Sequence, residues 1–377
     1  MHSGQLKKTL RPREKSKIYF PQLDSIRGMS FIAIFFFHSL RINYGNNFLG
    51  SFIKYLFNSL PLAIDVFFIL SSFLLTYLAL HEHVKTGKFS FGNYFRRRIL
   101  RIWPLYYLIL ILAFLIFPFV VHFFHAKMTL PNPLYYIFFI ANFYTIEHVF
   151  FLQFLWTISV EEQFYLLWGL SMRFFYKYLR LIIAVLFIVS VSFSVYAICN
   201  RVPHYFNTLT YLFDFGCGGL GAIMIFNNWK VVRCISHFQT AATVGFYCYL
   251  PFHFFIFYFA DKYLTGTAAN LTVLLSRYLF IVYIALLIVE QMKNERRTKA
   301  LEKNQFLIYT GKISYGLYCF HGITITFTNL LLQHFNIDMQ NWLLVFIYFI
   351  INYLIASASY FYFELPFLKL KAKWRST

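Results

Sequence analysis

Along the chain, apolar residues run in uninterrupted blocks, and short polar stretches between them hold most of the charge. The blocks lie near 23–41, 62–81, 102–121, 156–172, 181–199, 208–226, 237–258, 271–292, 313–333 and 342–363. Each is roughly the 17–25 residues that a helix needs to cross a hydrocarbon core about 30 Å thick. The pattern predicts an all-α polytopic membrane protein of about ten transmembrane helices. One further stretch, LYYIFFIANFYTIEHVFF at 134–151, turns polar towards its end. It predicts a short re-entrant or interfacial segment. No internal repeat, heptad run or low-complexity linker breaks the series. A single membrane domain over 23–366 is therefore expected, flanked by basic tails at 1–22 and 367–377.

Charge fixes the expected orientation. With ten crossings both termini share one side. The segments on that side (1–22, 82–101, 173–180, 227–235, 293–303 and 364–377) hold 26 Lys and Arg against five on the other. By the positive-inside rule both termini are expected in the cytoplasm. Composition agrees: 59% of the 377 residues are hydrophobic, only 13% are charged, and the mean hydropathy is +0.59. A soluble domain is nearer ~25% charged. The net charge of +20 is parcelled between apolar blocks, which argues against nucleic acid as a partner. The five cysteines have no CxxC spacing and lie in or beside apolar blocks, so they read as reduced thiols without disulfide or metal. About 20 polar residues precede the first block, and charge interrupts that block, so no cleaved signal peptide is expected.

Ionisable groups inside the blocks carry the chemistry, because such groups are costly in lipid and belong on a protein interior or wet cavity. The first block, LDSIRGMSFIAIFFFHSLR, places Arg27 and His38 eleven residues apart. At ~100° and ~1.5 Å per residue they share one face, about 16 Å apart along the axis. The second block holds Asp65, with Ser71 and Ser72 near mid-membrane. Arg98 and Arg101 share a face before the third, and Glu161 and Glu162 open the fourth. Depth counting puts Arg27, Arg98 and Arg101 at the cytoplasmic face, and His38, Asp65, Glu161 and Glu162 in the outer half. Guanidiniums bind phosphates and pyrophosphates through paired hydrogen bonds. A histidine flanked by carboxylates removes a proton from a hydroxyl. The division predicts an anionic phosphorylated donor entering from the cytoplasm and an acceptor hydroxyl presented from outside.

These stretches are LDSIRG with His38 (23–38), IDVFFILSSFLLT (64–76), FRRRILRIWPLYY (95–107), WTISVEEQFYLLW (156–168), GKISYGLYCFHG (311–322) and YFELP (362–366). In this order they resemble the acyltransferase-3 family of bacterial integral-membrane acyltransferases, including its R-x10-H and R-x-x-R spacings. Four positions depart from the family pattern: Ala63 and Ser72 stand where glycines are usual, and Gly322-Ile323 where Trp-Pro often follows the histidine. The resemblance implies an inner-membrane enzyme that moves an acyl group, most often acetyl, from cytoplasmic acyl-CoA to a hydroxyl of a cell-surface carbohydrate. Acyl-CoA is then a co-substrate, and no permanently bound cofactor is expected. The acceptors implied include lipopolysaccharide, peptidoglycan and exopolysaccharide.

On this reading Arg27, Arg98 and Arg101 dock the donor, and His38 is the base, oriented by Glu161 or Asp65. Glu162, His321, Ser71 and Ser72 contact substrate. Direct transfer and a covalent acyl-histidine intermediate both stay open. Glu364 reads as a structural contact at the inner face. A transporter or flippase is the rival class; the paired, broken repeats that mark many such proteins are missing from the sequence.

Overall fold

The structure, a computed structural model, describes residues 19–45, 47–125, 129–144 and 150–371. Most of the expected basic tails therefore lies outside the described residues, as do 145–149 of the expected re-entrant segment. Every regular element among the described residues is helical. The principal helices are α1 (Pro21–Ser39), α2 (Phe48–Asn58), α3 (Ala63–Thr86), α4 (Phe91–Ile111), α5 (Trp156–Phe174), α6 (Leu179–Cys199), α7 (Leu212–Phe226), α8 (Thr240–Tyr263), α9 (Gly266–Lys293), α10 (Gln305–Lys312), α11 (Ser314–His334), α12 (Asn341–Ser359) and α13 (Leu365–Lys371).

Among the described residues, seven helical segments are long and apolar enough to cross a membrane, and the protein is a multi-pass membrane protein. They are Phe48–Thr86, Phe91–Phe123, Tyr176–Cys199, Thr208–Phe226, Thr240–Tyr263, Gly266–Lys293 and Asn341–Leu370. The other three predicted blocks are the helices α1, α5 and α11, of 19, 19 and 21 residues. Their ionisable and polar side chains, Arg27, Glu161 and His321 among them, lower their apolar content. The segment after 133 forms only a short helix, Pro133–Ile137, and a 3-10 turn, Ala141–Phe143. Gln163 of α5 ties this segment down, donating to the Phe139 carbonyl and to Asn142 Oδ1, both at 2.8 Å.

One sequence expectation changes. The stretch 41–61, read as a loop, contains α2. Asn47 caps it by accepting from the Gly50 amide at 2.7 Å. Phe52 and Tyr55, three apart and on one face, pack edge-on against Tyr258 of α8. At 11 residues α2 was too short to register as a block.

Helices in lipid gain little from the hydrophobic effect, so small residues that let backbones approach become decisive. Helix α1 packs against α3, α10, α11 and α12, and α3 against α7. A Cβ at Gly28 would lie 2.5 Å from the Leu307 carbonyl oxygen, and one at Gly311 1.8 Å from that of Asp24. These two glycines press α10 onto α1 and so fix Arg27. Gly218 does the same between α7 and α3, where a Cβ would meet the Ile69 carbonyl oxygen at 2.2 Å. Gly322 explains one family departure: a Cβ there would lie 2.6 Å from Phe151 Cα, so a tryptophan-sized neighbour is replaced by backbone contact.

Gly311→Ala should therefore destabilise the protein by at least the ~1–3 kcal/mol typical of overpacking. Gly245→Ala on α8, where a Cβ meets open space, should be neutral or mildly stabilising. Thermal unfolding of the detergent-purified proteins compares them, and equal midpoints would show that α1 and α10 are not in close contact.

Candidate active site

Arg27, Arg98 and Arg101 converge. They line one small chamber of about 80 Å³ with Ser71, Glu161 and Tyr165. Arg27 is held by packing on α10 and by Asp24 of its own helix, 3.5 Å away. Arg98 and Arg101 are one turn apart on α4 and face the chamber together. The Arg98 guanidinium lies over the Tyr165 ring at 5.8 Å, and its buried Nε has no hydrogen-bond partner among the described residues. Ser71 donates to Glu161 Oε1 at 2.8 Å, and the Tyr165 hydroxyl donates to Ser71 at 3.2 Å. Three guanidiniums around one carboxylate make a site for a phosphorylated or otherwise anionic group.

His38 lines a different and much larger cavity, of about 1720 Å³. Asp65, Asn142, Trp156, Tyr205 and Arg277 are among its walls. Aromatic faces beside amide and charged groups suit a bulky polyhydroxylated ligand. Burial and the nearby Asp65 carboxylate push the Tyr205 hydroxyl up to about 12, so it stays a hydrogen-bond donor. The half-buried His38 ring packs on Phe154, with centroids 4.4 Å apart, and lies 5.6 Å from the ring of His321. His321 is fully buried one layer deeper. Its Nδ1 meets the Tyr318 carbonyl oxygen, which makes that nitrogen the N–H, and its Nε2 has no partner among the described residues.

The two cavities share Ile64 and Tyr318 as walls. The Tyr318 hydroxyl donates to the Phe154 carbonyl at 3.0 Å and accepts from Thr157 Oγ1 at 2.9 Å. Thus Tyr318 touches the arginine chamber, the His38 cavity and His321 at once.

Several sequence expectations are revised by this geometry. Glu161 lies among the arginines rather than beside His38. The separation in depth expected between Glu161 and the arginines does not hold: all four line one chamber with Ser71 of α3. Glu162, about 100° further round the helix, faces neither cavity; its Oε2 accepts from Trp103 Nε1 at 3.1 Å. Ser72 is fully buried and ties α3 to α7 by donating to the Phe215 carbonyl at 2.5 Å. It makes a helix-to-helix bond where a substrate contact was expected.

Asp65 changes most. Arg277 of α9 grips it with two hydrogen bonds, Nε to Oδ2 at 3.1 Å and Nη2 to Oδ1 at 3.0 Å. The same guanidinium reaches Asp214 of α7 at 2.7 Å and the Thr210 carbonyl at 3.2 Å, and it stacks over the Tyr211 ring at 4.8 Å. Asp65 is thus committed to an ion-pair network, and the role of orienting His38 does not fit it. Neither Arg277 nor Asp214 figured in the sequence reading. The signal was there: each is a lone charge inside an apolar block, LLSRYLF and LFDFGCG.

Comparison with known proteins follows the same lines. A family model described as an acyltransferase domain matches residues 20–361. The peptidoglycan O-acetyltransferase OatA of Listeria monocytogenes is 24% identical over 94% of the chain and 56% of its own length. The O-acetyltransferase OatA of Staphylococcus aureus is 27% identical over 93% of the chain and 57% of its own. The chain thus spans a little over half the length of these relatives. No solved structure matches it.

Proposed function

The chain belongs to the acyltransferase-3 family, and from that premise we propose that it is a bacterial inner-membrane O-acetyltransferase. It takes acetyl from cytoplasmic acetyl-CoA and transfers it to a hydroxyl of an extracytoplasmic glycan, with peptidoglycan the first candidate. The observation that carries this reading is the pairing of two cavities across Tyr318, a small one lined by Arg27, Arg98 and Arg101 and a large one lined by His38. Ten crossings with both ends in the cytoplasm would open the arginine chamber towards the donor and the His38 cavity towards the acceptor.

In the mechanism this supports, Arg27, Arg98 and Arg101 bind the donor's phosphate groups, and its thioester extends towards Tyr318. His38 takes the proton from the acceptor hydroxyl as that oxygen attacks the thioester carbonyl. The carbon–sulfur bond breaks, and the proton passes from His38 to the departing thiolate, leaving an ester and free CoA. Phe154 and the buried His321 hold the His38 ring from beneath. Glu161 balances the arginine charge and orients Ser71 through their hydrogen bond.

Surface-glycan mass spectrometry tests the function, using a deletion strain complemented with wild type or His38→Ala. The expected result is an acetyl mass lost on deletion, restored by wild type and not by the variant. Unchanged acylation with reduced glycan export would replace catalysis by transport. Donor docking has its own test. Arg98→Gln should raise KM for acetyl-CoA roughly 10–100-fold, the loss of one charged hydrogen bond of about 1.5–3 kcal/mol. Its kcat should change little; a fall in kcat at constant KM would move Arg98 from docking into the reaction itself.

A further inference from the structure

We infer that Tyr318, together with Ile64, is a septum that sets the length of the acyl group the protein can transfer. This rests on the acyl-transfer reading above and adds the residue that decides donor selectivity.

Three observations carry it. First, the reacting carbonyl has to reach from the arginine chamber to the wall of the His38 cavity, and Ile64 and Tyr318 line both sides of that boundary. Second, the chamber on the donor side is small. Its roughly 80 Å³ compares with about 1720 Å³ for the His38 cavity. Its remaining walls include the apolar Phe67, Phe68, Ile102 and Ile158 beside Thr157, Ser314 and Tyr315. Third, the Tyr318 ring is pinned. Its hydroxyl is tied at both the Phe154 carbonyl and Thr157 Oγ1, and its carbonyl holds His321. A pinned ring on the wall shared by the two cavities limits length; it admits acetyl and meets the third carbon of a longer chain.

The two features of Tyr318 make separable predictions. Ring volume sets selectivity, and the hydroxyl sets only how firmly the ring is held. Tyr318→Ala should open one continuous passage and raise transfer of butyryl relative to acetyl by at least ~10-fold, the scale on which a pocket discriminates single methylenes. Tyr318→Phe keeps the ring and should keep the preference for acetyl. Ile64→Ala widens the same boundary and should shift the ratio in the same direction as Tyr318→Ala. That variant leaves the hydrogen bonds of Tyr318 in place, and so serves if Tyr318→Ala fails to fold.

The experiment uses membranes of the host strain bearing the full chain, opened to expose the cytoplasmic face. They are supplied in turn with acetyl-, propionyl-, butyryl- and hexanoyl-CoA labelled in the acyl group, and label entering the envelope glycan is counted. Falling incorporation with length in wild type, flattened by Tyr318→Ala or Ile64→Ala and kept by Tyr318→Phe, is the expected result. If wild type transfers acetyl while both alanine variants keep its length profile, the septum is wrong and the function stands. If wild type incorporates none of the four, the function itself falls.

Discussion

His38→Ala should abolish acetyl transfer, with kcat falling about 10²–10⁴-fold, the usual contribution of a positioned general base. The protein should still insert, fold and bind acetyl-CoA. His38 is half-buried on a cavity wall, and its removal leaves the arginine chamber and the glycine contacts of α1 in place. Three measurements on one preparation are needed: protein level, acetyl-CoA binding by calorimetry, and label transferred to glycan. His38→Gln keeps most of the volume and a polar tip but no base of comparable strength, so it should be as inactive as the alanine variant. An active glutamine variant would reduce His38 to a hydrogen-bonding role, and a fully active alanine variant would remove it from the mechanism. His321→Ala makes a useful contrast. That ring is fully buried and packs on Phe154 beneath His38. Its loss should cost stability as well as rate.

How much of this was legible in the sequence depended on whether one coordinate was enough. The apolar blocks gave the long helices, because crossing a membrane fixes a length and excludes charge. Arg27 and His38 were placed correctly on α1 because both lie on one helix, where spacing alone decides which residues share a face. Arg98 and Arg101 followed for the same reason. Glu162 and Ser72 went astray because their roles depend on how one helix is rotated against another, and spacing along a single helix says nothing of that; Glu161 went astray in depth, because it meets arginines expected at the other face. Helix α2 was missed because eleven residues at a cavity mouth leave no membrane-length signature. Arg277 and Asp214 are the instructive omissions. They obey the same rule that singled out Asp65, but they lie on α9 and α7, more than 140 residues away in sequence. Only the packing of α3, α7 and α9 brings them together.

That network supplies the second large effect, and it falls on stability. Arg277→Met should strongly destabilise the protein, because it strands Asp65 and Asp214, 3% and 0% exposed, with no cation between them. Removing one member of a buried ion pair costs about 3–5 kcal/mol, most of it the penalty of the uncompensated charge left behind. The methionine fills much of the arginine's volume, so the loss is electrostatic rather than a cavity. Asp65→Asn should be far milder, since the guanidinium keeps Asp214 and the Thr210 carbonyl. The triple variant Arg277→Met, Asp65→Asn, Asp214→Asn removes every charge and should recover much of the loss, which the single Arg277→Met cannot do. Thermal midpoints in one detergent rank the three. The same proteins also settle what Asp65 does. A structural Asp65 predicts that Asp65→Asn retains acetyl transfer within a few-fold once protein levels are matched. Full stability with transfer abolished would instead return Asp65 to the reaction, acting across the cavity whose wall it shares with His38.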